Sequence, residues 1–344
     1  MKRRRILLMV HETLVPPQEL AGVAEADIEK CRSEYDVFST LSKLGHEIRV
    51  LGIGDRLKEL RETVRDWRPH IVFNLLDEFS GLASYDHYVV AYLELMQQAY
   101  TGCNPRGMML SRDKVLTKQV LAWHRVATPA FRLFPLGKRF REPRRLSFPL
   151  FVKSAVEDAS LGISQASLVE DMQSLRQRVE FIHENVQTDA LVEEYVDGRE
   201  LYIGVLGNTR LTTLPVWEMD FGTLPEVQSR IATRKVKWDK NYQAKHGIET
   251  AKAKGLSAEQ EAQLGRLTKR IYRALHMSSF ARMDLRMRDD GKVFLLEANA
   301  NPDLSDGEDF AESALAVGID YPALLTRIVN LGLSYMPEWR LFEP

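Results

Sequence analysis

Up to about residue 107, hydrophobic and polar positions alternate between strand-like and helix-like spacing. The strand-like segments are residues 5–10, 47–53 and 70–75, with a short stretch around Tyr100. The helix-like segments are residues 33–44, closed by Gly45, then 57–67 and 84–99. Strands separated by helices predict a parallel sheet whose ligands bind beyond the carboxyl ends of the strands. Glu12 and residues 74–78 are therefore expected at a ligand-facing rim.

The spacing changes after residue 107 and predicts two α+β units. The first has a helix at residues 113–124, a basic proline-containing loop to residue 145, strands at 148–154, 162–166 and 190–196, and a helix at 168–185. The second has strands at residues 201–205 and 211–217, a basic loop at 234–247, and helices at 257–275 and 322–333. We expect three domains, covering residues 1–107, 108–197 and 198–344.

The most specific pattern lies between residues 281 and 302, where two alternating strand segments flank Asp290-Gly291. Both turn residues tolerate a positive φ, which predicts a two-residue type I′ hairpin with Asp289 opposite Lys292. The same register predicts which residues face each other farther along the hairpin.

In that register Asp284 faces Glu297, Arg282 faces Asn299, and all four side chains share one face of the hairpin. Carboxylates directly opposite each other destabilise a hairpin by up to about 1 kcal/mol, so a cation is expected between them. Carboxylate and amide oxygens suit Mg²⁺, which usually also binds substrate phosphates. The alternative is a solvated hairpin face on which the carboxylates align by chance.

Composition narrows the class of protein. The 344 residues carry a formal net charge of −1, which gives no global attraction to nucleic acid or to an anionic membrane. The apolar run after the basic start ends at His11, too short for a signal peptide, and there is no apolar run of about 18 residues. A cytoplasmic location is expected, with Cys31 and Cys103 as reduced, buried thiols. No Gly-x-Gly-x-x-Gly follows the first strand, which counts against a dinucleotide-binding domain.

The pattern R-x-D, hairpin, E-x-N-x-x-P formed by residues 282–302 resembles the metal-binding hairpin of the ATP-grasp superfamily, specifically its D-alanine–D-alanine ligase branch. The resemblance continues in order from about Arg68 to Tyr335. It implies an α/β and α+β fold, in which an N-terminal parallel α/β (pre-ATP-grasp) domain precedes a two-lobed ATP-grasp fold. It also implies that ATP binds between the two lobes, and a homodimer is the assembly it suggests.

Motif by motif, the resemblance implies the nucleotide contacts. The lysines that contact the phosphates align with Lys114, Lys153 and Lys245, and the flap serine aligns with Ser160. The hinge strand aligns with Glu193, Glu194, Tyr195 and Val196, and the ribose-binding glutamate aligns with Glu200. A lysine within an apolar strand is costly to bury, so Lys153 is informative by itself, with a snorkelling lysine on an edge strand as the alternative. For the basic run that contains Lys245, the alternative is a solvated loop.

The resemblance implies a carboxylate–amine ligase with small-molecule substrates. ATP would phosphorylate one carboxylate, and an amine or hydroxyl would attack the acyl phosphate. Asp284, Glu297 and Asn299 would hold two Mg²⁺ ions, while Arg282 would stabilise the developing oxyanion. Lys245 is expected to close over the site with a mobile loop. The sequence contains no Ser-His-Asp set, nucleophilic cysteine or zinc spacing that supports a different mechanism.

The departures from the D-alanine–D-alanine ligases concentrate in the substrate region. The first strand ends in Val10-His11-Glu12-Thr13, without the family's paired glycines, and Glu12 is a candidate substrate contact. Ala159 and His246 align with the family's flap serine and lid tyrosine, so that their hydrogen bond is lost. His246 is a candidate for controlling the choice of nucleophile, and a surface histidine without a role is the alternative.

The acidic loop at residues 302–309 departs most, because Glu308 aligns with a serine that holds the acceptor's carboxylate in the family. Asp303, Ser305 and Glu308 are predicted to contact a cationic or neutral acceptor, since carboxylates repel each other. An acidic loop that faces solvent is the alternative. An EF-hand is set aside because Gly307 is seventh, not sixth, counting from Asn301.

Three functions remain open from the sequence. The first is an active ligase whose acceptor is not a simple α-amino acid. The second is a D-alanine–D-alanine or D-alanine–D-lactate ligase with a rearranged acceptor site. The third is a catalytically silent nucleotide-binding regulator, against which the retained lysines, Arg282 and metal ligands argue.

Overall fold

The N-terminal region is a parallel sheet, seen in a computed structural model that describes residues 2–19, 23–157, 163–224 and 231–342. Its strands are β1 (Arg5–His11), β2 (Glu47–Ile53) and β3 (Ile71–Asn74), in the order β2-β1-β3. The helices are α1 (Glu25–Lys30), α2 (Arg32–Lys43), α3 (Lys58–Trp67) and α4 (Asp86–Leu95). The apolar run of β1 is buried on both faces, as expected for a central parallel strand. The stretch predicted around Tyr100 forms a single bridge with Val72 instead of a strand.

The middle region is a four-stranded antiparallel sheet in the order β4-β7-β5-β6. Its elements are α5 (Pro105–Arg112), α6 (Lys114–Trp123), β4 (Phe131–Phe134), β5 (Leu150–Ser154), β6 (Leu168–Val169), α7 (Met172–Phe181) and β7 (Ala190–Glu194). The prediction missed α5 and also β4, which lies in the basic segment read as a loop.

The strand predicted at residues 162–166 is wrong in its described part, because Gln165–Ser167 form a 3-10 turn and the strand is β6. The helix predicted from residue 168 begins instead at Met172. Asp171 stops it from starting earlier, since its side chain accepts a hydrogen bond from the Ser174 N–H at 2.8 Å in a capping box.

The last region is built around an antiparallel sheet in the order β11-β10-β8-β12-β13, with β9 beside β8. Its strands are β8 (Arg199–Leu206), β9 (Thr212–Thr213), β10 (Trp217–Asp220), β11 (Glu249–Lys252), β12 (Phe280–Met287) and β13 (Val293–Asn299). Its helices are α8 (Arg234–Trp238), α9 (Lys240–His246), α10 (Ala258–Ala274), α11 (Asp309–Leu315) and α12 (Tyr321–Ser334).

Two secondary-structure elements of this region differ from the prediction. The strand predicted at residues 211–217 is divided into β9 and β10, and Pro215 between them has no N–H for a sheet hydrogen bond. The basic loop predicted at 234–247 contains α8 and α9. Thr233 and Asp239 begin these helices, because their side chains accept hydrogen bonds from the N–H groups of Val236 and Tyr242.

Two hydrophobic clusters join the N-terminal sheet to the last region. Leu7 and Met9 share one cluster with Met283 of β12, whereas Leu8 shares the other with Phe310 and residues of α12. The two faces of β1 are therefore both covered. The middle sheet has a separate core around Val152. None of the described helices is long and apolar enough to cross a membrane.

Candidate active site

The β12–β13 hairpin has the predicted pairing at its functional end. Arg282 lies opposite Asn299, and Asp284 lies opposite Glu297. The pairing then shifts by one residue, so that Leu285 faces Leu295 and Leu296 is left as a bulge.

The turn that closes the hairpin differs from the prediction. The Arg288 C=O accepts a hydrogen bond from the Gly291 N–H at 2.9 Å, and the Arg288 N–H donates to the Lys292 C=O at 3.0 Å. Gly291 has a φ of +81°, the left-handed conformation that ends a three-residue hairpin loop. The predicted pair of Asp289 and Lys292 is wrong. The extra loop residue and the bulge at Leu296 offset each other, which is why the register at Asp284 and Glu297 is still correct.

Each of the two facing carboxylates has its own cation. The Arg282 guanidinium donates two hydrogen bonds to the Asp284 carboxylate, of 2.8 and 3.0 Å. The Lys114 Nζ lies 2.9 Å from Glu297 Oε1. The repulsion between the carboxylates, which predicted a cation between them, is thus relieved by two protein cations, Arg282 of β12 itself and Lys114 of α6.

Arg282 is a permanently charged group in this setting. Burial by itself lowers the pKa of the guanidinium, but Asp284 and then Asp309 raise it, and the net pKa lies above the ordinary value. The guanidinium also lies 5.0 Å from the centre of the Tyr202 ring. Its planar fork is therefore held in one orientation by a carboxylate at its edge and a ring at its face.

The residues around this hairpin fit a hard divalent cation. Besides the two carboxylates, Asn301 Oδ1 is a buried amide oxygen with no hydrogen-bond partner in the described structure, whereas the unpartnered atom of Asn299 is Nδ2, a hydrogen-bond donor. In the described ranges, no three His, Cys, Asp or Glu side chains converge on a metal position. A cation here would use Asp284, Glu297, the Asn299 amide oxygen and oxygens from phosphate or water, which is the way Mg²⁺ is usually bound.

Lys114 links the hairpin to the middle sheet. It is the first residue of α6, whose N-cap is Asp113, and its side chain is buried. Besides contacting Glu297, its Nζ donates a hydrogen bond to the Glu157 C=O at 2.7 Å. Glu157 lies in the loop at residues 155–162, which the resemblance implies is the phosphate flap, so Lys114 joins the described start of that loop to the hairpin. Ser160 lies outside the described residues.

Lys153 lies on an interior strand, and only 7% of the residue is exposed. The alternative of a snorkelling lysine on an edge strand is therefore wrong. Its Nζ is 3.1 Å from Glu193 Oε2, while Lys118 lies 2.6 Å from Glu193 Oε1. The sequence interpretation missed Lys118, although its position one helical turn after Lys114 was a usable signal.

The predicted hinge residues point in different directions. The Glu194 carboxylate accepts a hydrogen bond from the Ser147 N–H at 2.8 Å, on the opposite side of β7 from Glu193. Arg286 donates to the Tyr195 hydroxyl at 3.2 Å and to the Val196 C=O at 3.5 Å. Tyr195 and Val196 are thus attached to the last region through Arg286.

Glu200 is buried and already paired. It accepts hydrogen bonds from Arg286, at 3.2 Å from Nε, and from the Tyr202 hydroxyl at 2.8 Å. Burial raises the pKa of Glu200, but Arg286, Lys237 and the Tyr202 hydroxyl together lower it below its ordinary value. The alternation along β12 places Arg286 on the same face as Arg282 and Asp284, and this signal in the sequence was missed.

The two residues of the predicted lid, Lys245 and His246, lie on α9. Lys245 is exposed on α9 and makes no side-chain hydrogen bond or ion pair with any described residue. His246 packs against Tyr242, with 4.5 Å between the ring centres. Lys237 of α8 lies nearer the site, 5.9 Å from the centre of the Tyr202 ring that contacts Arg282. No sequence signal separated Lys237 from the neighbouring basic residues.

Glu12 lies at the predicted rim, in the exposed 3-10 turn that follows β1. Gly54, at the end of β2, provides the room for it, because a Cβ there would lie 2.3 Å from Glu12 Oε2. At the same rim, His11 lies 3.3 Å from Glu78. The structure places Glu12 at the predicted edge of the parallel sheet, just beyond the carboxyl end of β1.

The acidic loop folds against the start of α2. Ser305 Oγ donates to Asp303 Oδ1 at 2.6 Å, and the Asp306 N–H donates to Asp36 Oδ2 at 3.0 Å. Arg32 donates to the Asp306 C=O at 3.0 Å and lies 4.0 Å from Glu308. Burial, and then Asp303 and Asp309, raise the pKa of Glu308. The loop therefore forms part of the junction between the N-terminal region and the last region.

Glu34 on α2 is the most strongly perturbed carboxyl in this junction. Burial, and to a smaller degree Asp77 and Asp303, raise its pKa from 4.5 to about 7, and a backbone hydrogen bond offsets only part of this rise. Because the folded state holds this proton more tightly than the unfolded state, stability is lost as the pH rises from 4.5 to about 7.

Glu34→Gln is expected to remove this loss. Relative to the native chain, the variant should gain up to about 3 kcal/mol of unfolding free energy between pH 4.5 and pH 8, the equivalent of the pKa shift. Urea unfolding at the two pH values measures the difference. Equal differences at both pH values would contradict the assignment of a raised pKa to Glu34.

Comparisons with known proteins identify relatives of this chain. The family described as "D-ala D-ala ligase C-terminus" matches residues 120–330. Over 294 residues the chain is 30% identical to a D-alanine–D-alanine ligase of Nitratidesulfovibrio vulgaris, strain DP4, covering 86% of this chain and 90% of the relative. It is 33% identical over 307 residues to the uncharacterized protein y4sG of Sinorhizobium fredii, covering 86% and 85%.

The fold has a match among solved structures. The D-alanine–D-alanine ligase of Bacillus anthracis, solved in complex with ATP, superposes with a TM-score of 0.72 at 20% identity, covering 96% of this chain and 97% of that one. The predicted fold is confirmed. The chain belongs to the ATP-grasp D-alanine–D-alanine ligase family.

Proposed function

We propose that this protein is an ATP-dependent ligase that joins a small carboxylic acid to an amine through an acyl phosphate. The observation that carries the proposal is the charge arrangement at the β12–β13 hairpin. Asp284 and Glu297 face each other. Arg282 forms an ion pair with Asp284, and Lys114 forms one with Glu297. This arrangement supports both phosphate binding and charge stabilisation at a reacting carbonyl.

Lys114 and Lys153 are the proposed phosphate contacts. Both are buried cations, Lys114 on α6 and Lys153 on β5. The related ligase of Bacillus anthracis was solved with ATP, which supports nucleotide binding here. We propose that the hinge at Glu194, Tyr195 and Val196 receives the adenine and that Glu200 receives the ribose, with Arg286 fixing the Glu200 carboxylate.

Asp284, Glu297 and Asn299 are the proposed ligands of Mg²⁺. When bound, the cation would neutralise phosphate charge during transfer to the carboxylate. Arg282 is the proposed oxyanion group, because its orientation is fixed and it remains charged at any working pH. Lys245 and His246 contribute only if the segment of α8 and α9 moves towards the hairpin, since Lys245 is now exposed. Lid closure of this kind is common in enzymes that protect a hydrolysable intermediate.

The acceptor is proposed to be cationic or free of a carboxylate. The loop that carries Asp303, Ser305 and Glu308 lies beside further carboxylates of α2, Glu34 and Asp36 among them. Arg32 and Lys240 offset part of this charge near Glu308. The remaining negative charge disfavours an acceptor that carries its own carboxylate and favours an amine.

A D-alanine–D-alanine or D-alanine–D-lactate ligase remains the second candidate, supported by the named relatives. A catalytically silent nucleotide-binding regulator is the third. The retained contacts of Lys114, Arg282 and Asp284 count against it, because these buried charges are costly to keep without a use.

Phosphate release tests the three candidates together. The purified protein is incubated with ATP and Mg²⁺ plus D-alanine alone, D-lactate with D-alanine, or a pool of amino acids with a pool of amines. We expect release that requires both a carboxylate and an amine. Rapid release with D-alanine alone at millimolar concentration would support the second candidate, and no release under any condition would support the third.

Glu308→Ser is expected to shift the acceptor preference towards α-amino acids by at least about tenfold in kcat/KM. The change removes one negative charge at the N-cap of α11, where serine is well tolerated. Competition between D-alanine and a simple amine measures the shift. Glu312→Ser, one turn along α11, removes the same charge and is the matched control. An equal shift in both variants, or none in Glu308→Ser, would refute a role for Glu308.

A further inference from the structure

A buried glutamate lies between two lysines in the middle sheet. Glu193 on β7 is 3% exposed, and its two oxygens lie 2.6 Å from Lys118 and 3.1 Å from Lys153. The side chains of Lys118 and Lys153 are 2% and 8% exposed. One acidic and two basic side chains are therefore almost completely removed from water.

The two lysines come from different elements. Lys153 lies on β5, paired with β7, and its side chain shares a face with Glu193. Lys118 lies on α6, where it also approaches the Phe131 ring at 5.4 Å and the Pro129 C=O at 3.4 Å. Lys118 is thus enclosed by the middle region on several sides.

Helix α6 directs two lysines to two different carboxylates. Lys114 contacts Glu297 of the hairpin, and Lys118, one turn later, contacts Glu193 of the middle sheet. A small cavity lined by Lys114, Lys118 and Glu297 lies between these contacts. The carboxylate–lysine pairs are consequently adjacent but separate.

A buried carboxylate with a single lysine keeps that lysine tightly, because breaking the pair leaves an uncompensated buried charge. If Lys153 were the only cation beside Glu193, its charge would be used within the protein. The second and shorter ion pair with Lys118 removes this constraint.

We propose that Lys118 is a positioning residue that serves as the permanent counter-ion of Glu193 and leaves the charge of Lys153 available to the nucleotide phosphates. Glu193 then acts through Lys153. This inference rests on the proposed function in one respect, namely that ATP binds beside Lys153.

The test compares ATP affinity among variants by calorimetric titration, without turnover. Lys118→Met is expected to weaken ATP binding at least tenfold, since Glu193 then holds Lys153. Lys118→Met combined with Glu193→Gln is expected to recover at least fivefold of that loss, because the buried charge that captured Lys153 is gone. Gln119→Met, the exposed neighbouring position on α6, is the matched control.

The outcomes separate this inference from the proposed function. If the native protein does not bind ATP, the proposed function fails. If it does, unchanged binding in Lys118→Met, or a double variant as weak as the single one, overturns the role of Lys118. Should thermal melting show that Lys118→Met does not fold, Lys118→Gln replaces it. This variant keeps a hydrogen-bond donor without the charge, and the same predictions apply.

Discussion

Glu297→Gln is expected to reduce turnover below detection while ATP still binds weakly. The amide has nearly the shape of the carboxylate but no charge, so it cannot neutralise Lys114 at 2.9 Å or contribute an anionic ligand beside Asp284. Initial rates of phosphate release and a separate ATP titration measure the two effects.

Asp289→Asn at the tip of the same hairpin is the control for this variant. It removes the same charge from an exposed position outside the paired strands. Turnover should be unaffected there. Undiminished turnover in Glu297→Gln would remove the hairpin from the mechanism.

Arg282→Lys is expected to lower kcat at least about 10²-fold, the scale of losing one oxyanion donor. Lysine keeps the charge but cannot reproduce the two-pronged contact with Asp284 or the flat packing on Tyr202. Steady-state kinetics separate kcat from KM.

Arg288→Lys, exposed beyond the end of β12, is the matched control for this substitution. A change confined to the KM for ATP in Arg282→Lys would mean that Arg282 is only a nucleotide contact. A fall in kcat in both variants would mean that the hairpin responds to any change from arginine to lysine.

The register of the hairpin shows how a correct prediction of strand pairing can rest on an incorrect prediction of the turn. The turn was predicted one residue too short, and the bulge at Leu296 was not predicted at all. The strand period and the spacing of charged residues were nevertheless sufficient to pair Asp284 with Glu297. A bulge leaves no clear signal in a run such as residues 293–299, where apolar positions are nearly continuous.

Buried ion pairs between segments that are distant along the chain could not be predicted from the sequence. Local spacing indicates which residues share a face, but not which face of another element lies opposite. Lys118 and Arg286 find their carboxylates only after the sheets assemble, across 75 and 86 residues of chain in the pairs with Glu193 and Glu200. The charge on Arg32 that offsets Glu308 is separated from it even further along the chain.

The elements that were missed have weak patterns of their own. β4 and β11 are four residues each, too short for a period of two to be distinguished from chance. α8 and α9 are rich in lysine and largely polar, so that their helical form depends on the caps at Thr233 and Asp239. The long, strongly patterned elements such as β2 and α10 were predicted almost residue by residue.

The central claim is that ATP activates a carboxylate, and the most direct measurement follows the carboxylate oxygen. The carboxylic acid found in the phosphate-release screen is labelled with ¹⁸O in its carboxylate and incubated with ATP, Mg²⁺ and the amine. The account predicts that each phosphate released carries one ¹⁸O atom, detected by ³¹P NMR. Product formation with unlabelled phosphate would contradict an acyl-phosphate route.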